Sequence, residues 1–192
     1  MTRTVYVNGE WLAENKATVS IFDRGFLMAD GVYEVTSVLD AKLIDFGGHC
    51  ARLRRSLSEL DMPSPATDEA LLAIHRELLE RNNVVDGMIY LQVTRGAYGS
   101  RDFVAPDKPK LTCFAYAESR ALIDTPHARN GSRIVSVPDI RWSRRDIKSV
   151  GLLAQALAKT EAKARGADDA WLVAPDGYVT EGASSNAWIV TK

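Results

Sequence analysis

Short apolar runs separated by turn residues dominate the first third of the chain and predict β-strands. Residues 4–7 form one run, and a turn dipeptide, Asn8-Gly9, separates it from a second apolar run at 11–13. A turn dipeptide between two short apolar runs is typical of a β-hairpin. A longer β-prone run over 32–39 predicts a further strand of the same region.

Two stretches with helical spacing follow these strands. Leucines recur at intervals of four and three over 49–60, and 68–81 carries an apolar face behind an acidic start. Acidic residues in a first turn suit the positive end of the helix dipole. Buried strands are then expected at 88–93 and 111–116, joined by a loop over 96–110 that is rich in glycine, proline and charge.

A change of pattern near residue 119 predicts two domains. We expect an N-terminal α+β domain over 1–118, a linker over 119–131, which has little periodicity, and a C-terminal domain over 132–192. The last domain reads as strand, helix, strand, turn and strand. The final apolar, β-prone run is 187–190, two residues before the chain stops. A sheet that ends on its latest strand predicts that the sequence is part of a longer protein.

Composition and charge narrow the function classes. The chain has 192 residues, with 24 Lys and Arg against 25 Asp and Glu, for a net charge of -1. This balance gives no reason to expect nucleic acid or an anionic membrane as the main partner. No apolar run approaches the ~18 residues of a membrane span. Cys50 and Cys113 form neither a disulfide framework nor a zinc-ligand spacing, so we expect a cytoplasmic protein.

Several kinds of chemistry lack their motif. The glycine-rich phosphate-binding patterns of nucleotide sites do not occur. His49, His75 and His127 do not stand at metal-ligand spacing, so we expect no metal site, and His75 is expected at the surface or at the edge of the core. The run 182–186 lacks the Gly-x-Ser-x-Gly pattern of a nucleophile elbow, which argues against a hydrolase triad.

One lysine and one carboxylate stand in places that could carry chemistry. Lys148 lies in a basic loop just before an apolar helical stretch at 152–165. An amine must be neutral to attack a carbonyl, and neighbouring cations favour the neutral form. Glu181 precedes a Gly-, Ser- and Asn-containing turn between two β-prone segments. Taken alone, each fits an ordinary surface position equally well or better.

Five segments in order change that balance. They are Asp23-Arg24-Gly25 with Asp30-Gly31-Val32-Tyr33-Glu34, His49-x-x-Arg52-Leu53, Gln92-Val93-Thr94-Arg95-Gly96, Asp146-Ile147-Lys148-Ser149, and Thr180-Glu181-Gly182 to Ser185-Asn186. Together they resemble the class IV (fold-type IV) pyridoxal-phosphate aminotransferases, most closely the D-amino-acid aminotransferases. The resemblance covers essentially the whole chain, which is similar to the N-terminal two-thirds of such an enzyme.

The resemblance implies an α+β, two-domain fold with an incomplete second domain and with pyridoxal 5'-phosphate in the cleft between domains. It also implies a homodimer. The implied reaction is ping-pong transamination between a D-amino acid such as D-alanine and a 2-oxo acid such as 2-oxoglutarate. The expected partners are therefore small-molecule amino acids and 2-oxo acids.

The same resemblance implies roles for cofactor-binding residues. Lys148 would form the internal aldimine and then move a proton as acid and base. Arg52 would hold the phosphate through its rigid fork. Glu181 would keep the ring nitrogen protonated. Ser184 would lie near the ring and phosphate, and Arg141 would donate towards the phenolic oxygen.

Substrate binding is where the sequence departs from the family pattern. The resemblance implies that Tyr33 helps to place the substrate carboxylate. D-amino-acid aminotransferases carry Arg-x-His in the loop after Thr-Arg-Gly. Here the loop 96–103 is one residue longer, Arg101 remains, and Phe103 stands where the histidine is expected. The Arg101 loop would reach the neighbouring subunit's site. This departure predicts weaker use of D-alanine or a larger, more apolar substrate.

Other functions stay open at this point. Within the enzyme class the alternatives are a branched-chain L-amino-acid aminotransferase, an aminodeoxychorismate lyase, which would need no acceptor acid, and an (R)-amine transaminase, for which Phe103 is a reason. Outside it, a chain of this length could be an inactive remnant or an interaction module.

Overall fold

The protein, described here over residues 2–192 by a computed structural model, divides into two compact units. Unit 1 contains the chain up to Leu122 together with a later segment, Asp146–Val150. Unit 2 contains Ile123–Arg145 and Gly151–Lys192. The short segment is important because it brings Lys148 into unit 1, where it contacts residues that come 92 and 115 positions earlier.

Unit 1 is built on a six-stranded antiparallel sheet with the order β2-β1-β6-β5-β3-β4. Its strands are β1 (Thr4–Val7), β2 (Glu10–Ala13), β3 (Gly31–Leu39), β4 (Lys42–Leu43), β5 (Gly87–Thr94) and β6 (Thr112–Ser119). A single turn of 3-10 helix, Glu14–Lys16, follows β2. All the strands predicted for this part of the chain are confirmed, with ends that move by one to three residues.

Three helices belong to unit 1: α1 (Arg24–Met28), α2 (Phe46–Ser58) and α3 (Asp68–Asn82). The Thr67 hydroxyl caps α3 by accepting from the Ala70 amide at 3.3 Å, and Asn83 ends the helix in a left-handed conformation. Leucines of α2 and α3 pack with alternate residues of β3, β5 and β6 in one apolar core. The helices therefore cover one face of the sheet.

His75 lies inside this core and not at its edge as the sequence predicted. Only 2% of the residue is exposed. Its Nδ1 lies 2.7 Å from the Leu71 carbonyl oxygen, and its ring meets the ring of Phe46 edge-on at 5.0 Å. Burial lowers the pKa of the imidazole, which favours the neutral form. His75 stands at helical spacing from Leu71 and Leu78, so periodicity alone places it on the buried face of α3, and its bond to Leu71 satisfies the ring within one turn.

The alternation of β3 divides its side chains between the two faces of the sheet. Val32, Glu34, Thr36 and Val38 are buried, whereas the residues between them are half-buried. Successive side chains of a strand point to opposite faces, so the buried set faces the helices and Tyr33 lies on the other face. Glu34 and Tyr33, whose contacts are described below, therefore lie on opposite faces of the sheet.

Unit 2 contains a three-stranded sheet of order β7-β8-β9. Its elements are α4 (Pro126–Asn130), β7 (Ile134–Pro138), α5 (Leu153–Ala164), β8 (Asp169–Val173) and β9 (Val179–Gly182). β7 and β8 are parallel with α5 between them in the chain, and β9 is antiparallel to β8. Small side chains of α5 and β8 form the core of this unit with Val137 and Leu172.

Two expectations for the second half of the chain differ from the structure. The segment 119–131, expected to be non-periodic, contains the short helix α4, whose first turn is capped by the Thr125 hydroxyl through the Ala128 amide. The run 187–190 is not a strand, and Trp188 and Val190 are exposed, because no neighbouring strand pairs with it among residues 2–192. None of the described helices combines the length and apolarity needed to cross a membrane.

Candidate active site

Lys148 is fixed to unit 1 by hydrogen bonds on both sides of its backbone. The Tyr33 amide donates to the Lys148 carbonyl oxygen at 3.0 Å, and the Val150 amide donates to the Gly31 carbonyl oxygen at 3.0 Å. The Lys148 amide donates to the hydroxyl of Ser56 on α2 at 3.2 Å. The lysine segment therefore runs antiparallel to the start of β3, on the side opposite β5, where β4 pairs only with the far end of the strand.

The Lys148 side chain lies over the ring of Tyr33. Its Nζ is 3.2 Å from the Tyr33 hydroxyl and 4.3 Å from the ring centroid. Within residues 2–192 it has no carboxylate partner. The Tyr33 ring in turn stacks on Tyr90 with centroids 5.6 Å apart, and the Tyr90 hydroxyl donates to Gln92 at 2.7 Å. An amine held by a phenol, without a counter-ion, is available for covalent chemistry.

Arg52 lies on α2 and pairs with Glu34. The Arg52 Nε donates to one Glu34 oxygen at 2.7 Å and Nη2 donates to the other at 2.6 Å. The His49 Nδ1 lies 2.8 Å from the same carboxylate. Burial alone raises the pKa of Glu34, but hydrogen bonds from Arg52 and His49 outweigh it and lower the pKa overall. The ionised Glu34 carboxylate thus holds the side chains of Arg52 and His49 in place.

The other edge of Arg52 is open. Nε and Nη2 are used by Glu34, whereas Nη1 donates to no group in the described part of the chain. The side chain is 40% exposed. Neighbouring arginines on the same helix, Arg54 and Arg55, are exposed as expected. A guanidinium held on one edge and open on the other can donate to a phosphate oxygen without moving.

The loop between β5 and β6 carries Arg101 and Phe103 together. The Arg101 guanidinium lies over the Phe103 ring, 4.6 Å from its centroid, and both side chains are exposed. The buried Arg24 donates to three successive backbone carbonyls of this loop. The structure therefore brings Lys148 and Tyr33 together, and separately Arg101 and Phe103.

In unit 2 the predicted residues Arg141 and Glu181 form an ion pair between Nη1 and Oε1. Arg141 also donates through Nε and Nη2 to Asp139 at 2.9 and 2.8 Å. Hydrogen bonds from Arg141, against the effect of burial, and from Thr180 hold the pKa of Asp139 well below its usual range. Glu181 Oε2 accepts no hydrogen bond from residues 2–192, so one carboxylate oxygen remains available.

Ser184 lies in the tight turn after β9 and is exposed. The turn is closed by the Gly182 amide, which donates to the Ser185 carbonyl oxygen at 2.8 Å, and by the Ser185 hydroxyl, which donates to Asp169 at 2.9 Å. These contacts fix the backbone on both sides of Ser184 and leave its hydroxyl at the surface. The turn can therefore present a hydroxyl to a ligand.

Three residues of these clusters were not singled out from the sequence. Glu34 had a usable signal, because it is a charged residue at a core-facing position of an alternating strand. Such a residue is expected to be paired. Ser56 and Asp139 had no such signal, since small polar residues on a helix and after a strand are common.

Each unit, taken by itself, carries groups that fit the cofactor that the sequence resemblance implies. Among residues 2–192, unit 1 has an amine without a counter-ion and a guanidinium with an open edge, which match an aldehyde and a phosphate. Unit 2 has a carboxylate with one free oxygen, which matches a basic ring nitrogen. The described residues contain no group of His, Cys, Asp and Glu that could hold a metal ion.

Comparisons with known proteins point to one family of enzymes. The family model of Amino-transferase class IV matches residues 31–192. D-alanine aminotransferase from Staphylococcus haemolyticus is 41% identical over 188 residues, which cover 97% of this chain and 65% of that protein. The chain thus spans somewhat less than two thirds of the length of the curated relatives it matches.

Solved structures give the same architecture. The branched-chain amino acid aminotransferase of Escherichia coli matches with a TM-score of 0.82 at 18% identity, over 95% of this chain and 63% of that one. A hypothetical aminotransferase from Mycobacterium tuberculosis, in a PLP-bound form, matches with a TM-score of 0.77 at 20% identity, over 94% and 65%. At these identities the likeness concerns the fold, and it confirms the predicted fold class.

Proposed function

Because the chain belongs to the class IV aminotransferase family, we propose that it carries out pyridoxal-phosphate-dependent transamination between a D-amino acid and a 2-oxo acid. The observation that carries this proposal is the position of the Lys148 amine, 3.2 Å from the Tyr33 hydroxyl and without a carboxylate partner among the residues that the structure describes. The choice of a D-amino acid is supported by curated relatives that are 36–41% identical and are named D-alanine aminotransferase.

Pyridoxal phosphate, when bound, supplies a protonated ring that withdraws the electron pair left on a substrate carbon that loses its proton. The open Nη1 edge of Arg52 would hold the phosphate, with Glu34 fixing the other edge. Oε2 of Glu181 would accept a hydrogen bond from the protonated ring nitrogen, while Arg141 keeps the carboxylate in place through Oε1. Arg141 and the exposed hydroxyl of Ser184 would complete the cofactor-binding set.

Lys148 would take and return the proton at the substrate α-carbon. Its backbone is tied to β3 and α2, so the amine works from a fixed anchor and the transfer is effectively intramolecular. The Tyr33 hydroxyl accepts from Nζ and restrains the rotation of the amine. Tyr90 stacks on the Tyr33 ring, so the phenol is itself held in position.

The substrate carboxylate would be held by the exposed Arg101 guanidinium, with Tyr33 as a second contact. Phe103, beneath Arg101, offers an apolar surface where the family pattern has a hydrogen-bond donor. A single charged hydrogen-bond donor beside an aromatic ring favours amino acids with a larger apolar side chain over D-alanine itself. The homodimer, with the Arg101 loop serving the partner's site, and a cytoplasmic location belong to the same proposal.

The test uses the visible absorption of the protein mixed with pyridoxal phosphate. We expect a band that moves away from that of the free aldehyde on mixing and changes again when a D-amino acid is added. Lys148→Ala should abolish the first change, because the amine is lost. Lys163→Ala, a change of an exposed lysine on α5, is the matched control and should leave both changes intact.

The donor panel separates the alternatives. D-alanine, D-phenylalanine, L-leucine and (R)-1-phenylethylamine are each offered with 2-oxoglutarate, and product 2-oxo acid or ketone is measured. Reaction with D-amino acids supports the proposal, whereas reaction with L-leucine alone overturns the D-preference. Release of pyruvate from aminodeoxychorismate without an acceptor would identify a lyase. A protein that leaves the aldehyde spectrum unchanged would contradict the proposed function altogether.

A further inference from the structure

Arg24 is a buried arginine that directs most of its hydrogen-bond donors to the loop between β5 and β6. The residue is 6% exposed. Its Nε donates to Asp30 at 2.6 Å. Its two terminal nitrogens donate to the backbone carbonyls of three consecutive residues, Asp102, Phe103 and Val104, the latter two at 3.3 Å. One guanidinium therefore fixes the backbone of the segment that carries Phe103 and follows Arg101.

A second arginine provides an internal comparison. Arg95 is also 6% exposed and donates to the same Asp30 carboxylate oxygen at 2.8 Å. Its Nη2 donates to the Leu60 carbonyl oxygen at 2.6 Å, and its guanidinium donates to no residue of 101–104. Two guanidinium groups thus share one carboxylate, and only Arg24 turns its far edge to the loop.

Apart from Arg24, few contacts hold the segment 101–104 of this loop. Residues 101–104 belong to no helix or strand and are exposed. Within the segment the Asp102 carboxylate accepts from the Val104 amide at 3.0 Å, which closes a local turn. The stacking of Arg101 on Phe103 requires that the backbone between them keeps its course. The Arg24 hydrogen bonds act on that part of the backbone.

From these contacts we infer that Arg24 is a positioning residue that fixes the geometry of the Arg101–Phe103 loop and thereby sets the affinity for the substrate carboxylate. The inference rests on the proposed function for what Arg101 binds, but the loop contacts stand independently. A lysine cannot take this role, because one ammonium cannot reach a carboxylate and three separate carbonyls as the planar fork does.

The first experiment reads the loop without any enzymatic assay. Chymotrypsin cleaves after exposed aromatic residues, and Phe103 is 72% exposed, so the rate of the cut after Phe103, identified by mass spectrometry, reports how well the loop is held. We expect Arg24→Lys to raise this rate about tenfold, because hydrogen bonds from a charged donor to the loop are lost. Arg95→Lys, the matched control at the same carboxylate, should leave it unchanged.

The second experiment reads substrate binding in the holoenzyme. Arg24→Lys should raise the KM for a D-amino acid about tenfold with little change in kcat, because it removes binding and not chemistry. The KM for (R)-1-phenylethylamine, which has no carboxylate, should not change. In an Arg101→Ala protein the further change Arg24→Lys should have no effect on KM, because the group that it positions is absent.

The outcomes separate this inference from the proposed function. Faster cleavage in Arg24→Lys with no transamination by any protein supports the loop role and overturns the function. Transamination by the parent together with unchanged cleavage and KM in Arg24→Lys overturns the positioning role alone. Equal effects of Arg24→Lys and Arg95→Lys would show that both substitutions act through a general loss of stability, and this result would also overturn the positioning role of Arg24. If Arg24→Lys does not fold, Asp30→Asn decides, since an unanchored Arg24 should also speed the cut.

Discussion

Tyr33 and Lys148 contact each other twice, once through the backbone and once through their side chains. The Tyr33 amide donates to the Lys148 carbonyl oxygen at 3.0 Å, and the Lys148 Nζ donates to the Tyr33 hydroxyl at 3.2 Å. The backbone hydrogen bond fixes the position of the Lys148 main chain, and the side-chain hydrogen bond fixes the position of its amine. A lysine side chain held at both ends has given up much of its rotational freedom before any ligand binds.

Tyr33→Phe tests the side-chain half of this relationship. The substitution keeps the ring that stacks on Tyr90 and the aromatic face under Nζ, and removes only the hydroxyl. We expect kcat to fall about tenfold, because the amine loses a positioning contact for proton transfer, while the unfolding midpoint stays within error of the parent's. The measurement is steady-state kinetics with a D-amino acid and 2-oxoglutarate.

Tyr178→Phe, at a tyrosine that is 75% exposed, controls for loss of a phenol elsewhere and should leave kcat unchanged. A Tyr33→Phe protein with the parent's kcat would contradict a role for the hydroxyl.

The Glu34 carboxylate gives a pH-dependent prediction for stability. Burial raises its pKa, but hydrogen bonds from Arg52 and His49 more than offset that effect, so the folded-state pKa lies below the ordinary value of 4.5. A lowered pKa means a contribution to stability that is present above pH 4.5 and is lost as the pH falls through the folded-state value. Glu34→Gln should therefore lower the free energy of unfolding by about 1–3 kcal/mol at pH 7.

The gap between the parent and Glu34→Gln should begin to narrow below pH 4.5, where the unfolded chain takes up the proton, and should keep narrowing until the folded protein takes it up as well. Urea unfolding followed by circular dichroism at pH 7 and at pH 3 measures both values. Glu14→Gln is the control, because Glu14 pairs with Arg3 at the exposed surface, where such pairs contribute little. A gap that stays constant with pH would rule out the charge of Glu34 as its cause.

Local pattern was sufficient for most elements because burial imposes it. The β-prone run of β3, the leucine spacing of α2 and the apolar face of α3 predicted these elements, since each has one face on the core. The short helix α4 was missed because its Pro126 and Asn130 are typical of loops, whereas Thr125 in fact caps a single turn and a half. The strand expected over 187–190 was wrong because β-prone composition does not supply a pairing partner.

The arrangement of the candidate site residues follows less from local sequence pattern than from contacts between segments that are distant in the chain. His49 and Arg52, three residues apart, share a helix face, but their common partner Glu34 comes 15 and 18 residues earlier on a strand. The meeting of Lys148 with Tyr33 spans 115 residues. The sequence resemblance named both residues, yet only the packing of the segment along β3 explains how they meet.

Gly96 begins the loop that carries Arg101, and its φ of +90° together with close packing makes glycine necessary there. A Cβ at Gly96 would lie 1.9 Å from the Lys110 carbonyl oxygen, a contact that the backbone must move to relieve. Gly99 in the same loop also has a positive φ, of +69°, but a Cβ there would meet no atom within 4 Å. A side chain at either position would therefore be strained by the positive φ, but only one at Gly96 would also clash with the Lys110 backbone.

Gly99→Ala should cost about 1–2 kcal/mol, the usual cost of a side chain in the left-handed region. Gly96→Ala should cost at least about 3 kcal/mol, because the clash with backbone adds to that strain. Urea unfolding of both variants beside the parent gives the comparison. Equal losses in the two variants would show that the contact with Lys110 is relieved without cost and would contradict the prediction.

Cys50 and Cys113 should be unreactive until the protein unfolds. They are 4% and 7% exposed and form no disulfide. Burial raises the pKa of Cys50 to about 11 and that of Cys113 to about 12. At pH 8 a thiol of pKa 11 is ionised in about one molecule in a thousand, and the thiolate is the reactive form. A disulfide reagent such as DTNB should therefore release little colour from the native protein and titrate 2 thiols after unfolding in guanidinium. Cys50→Ala and Cys113→Ala should each leave one thiol in that titration, and rapid reaction of either cysteine in the native protein would contradict the buried positions on which the prediction depends.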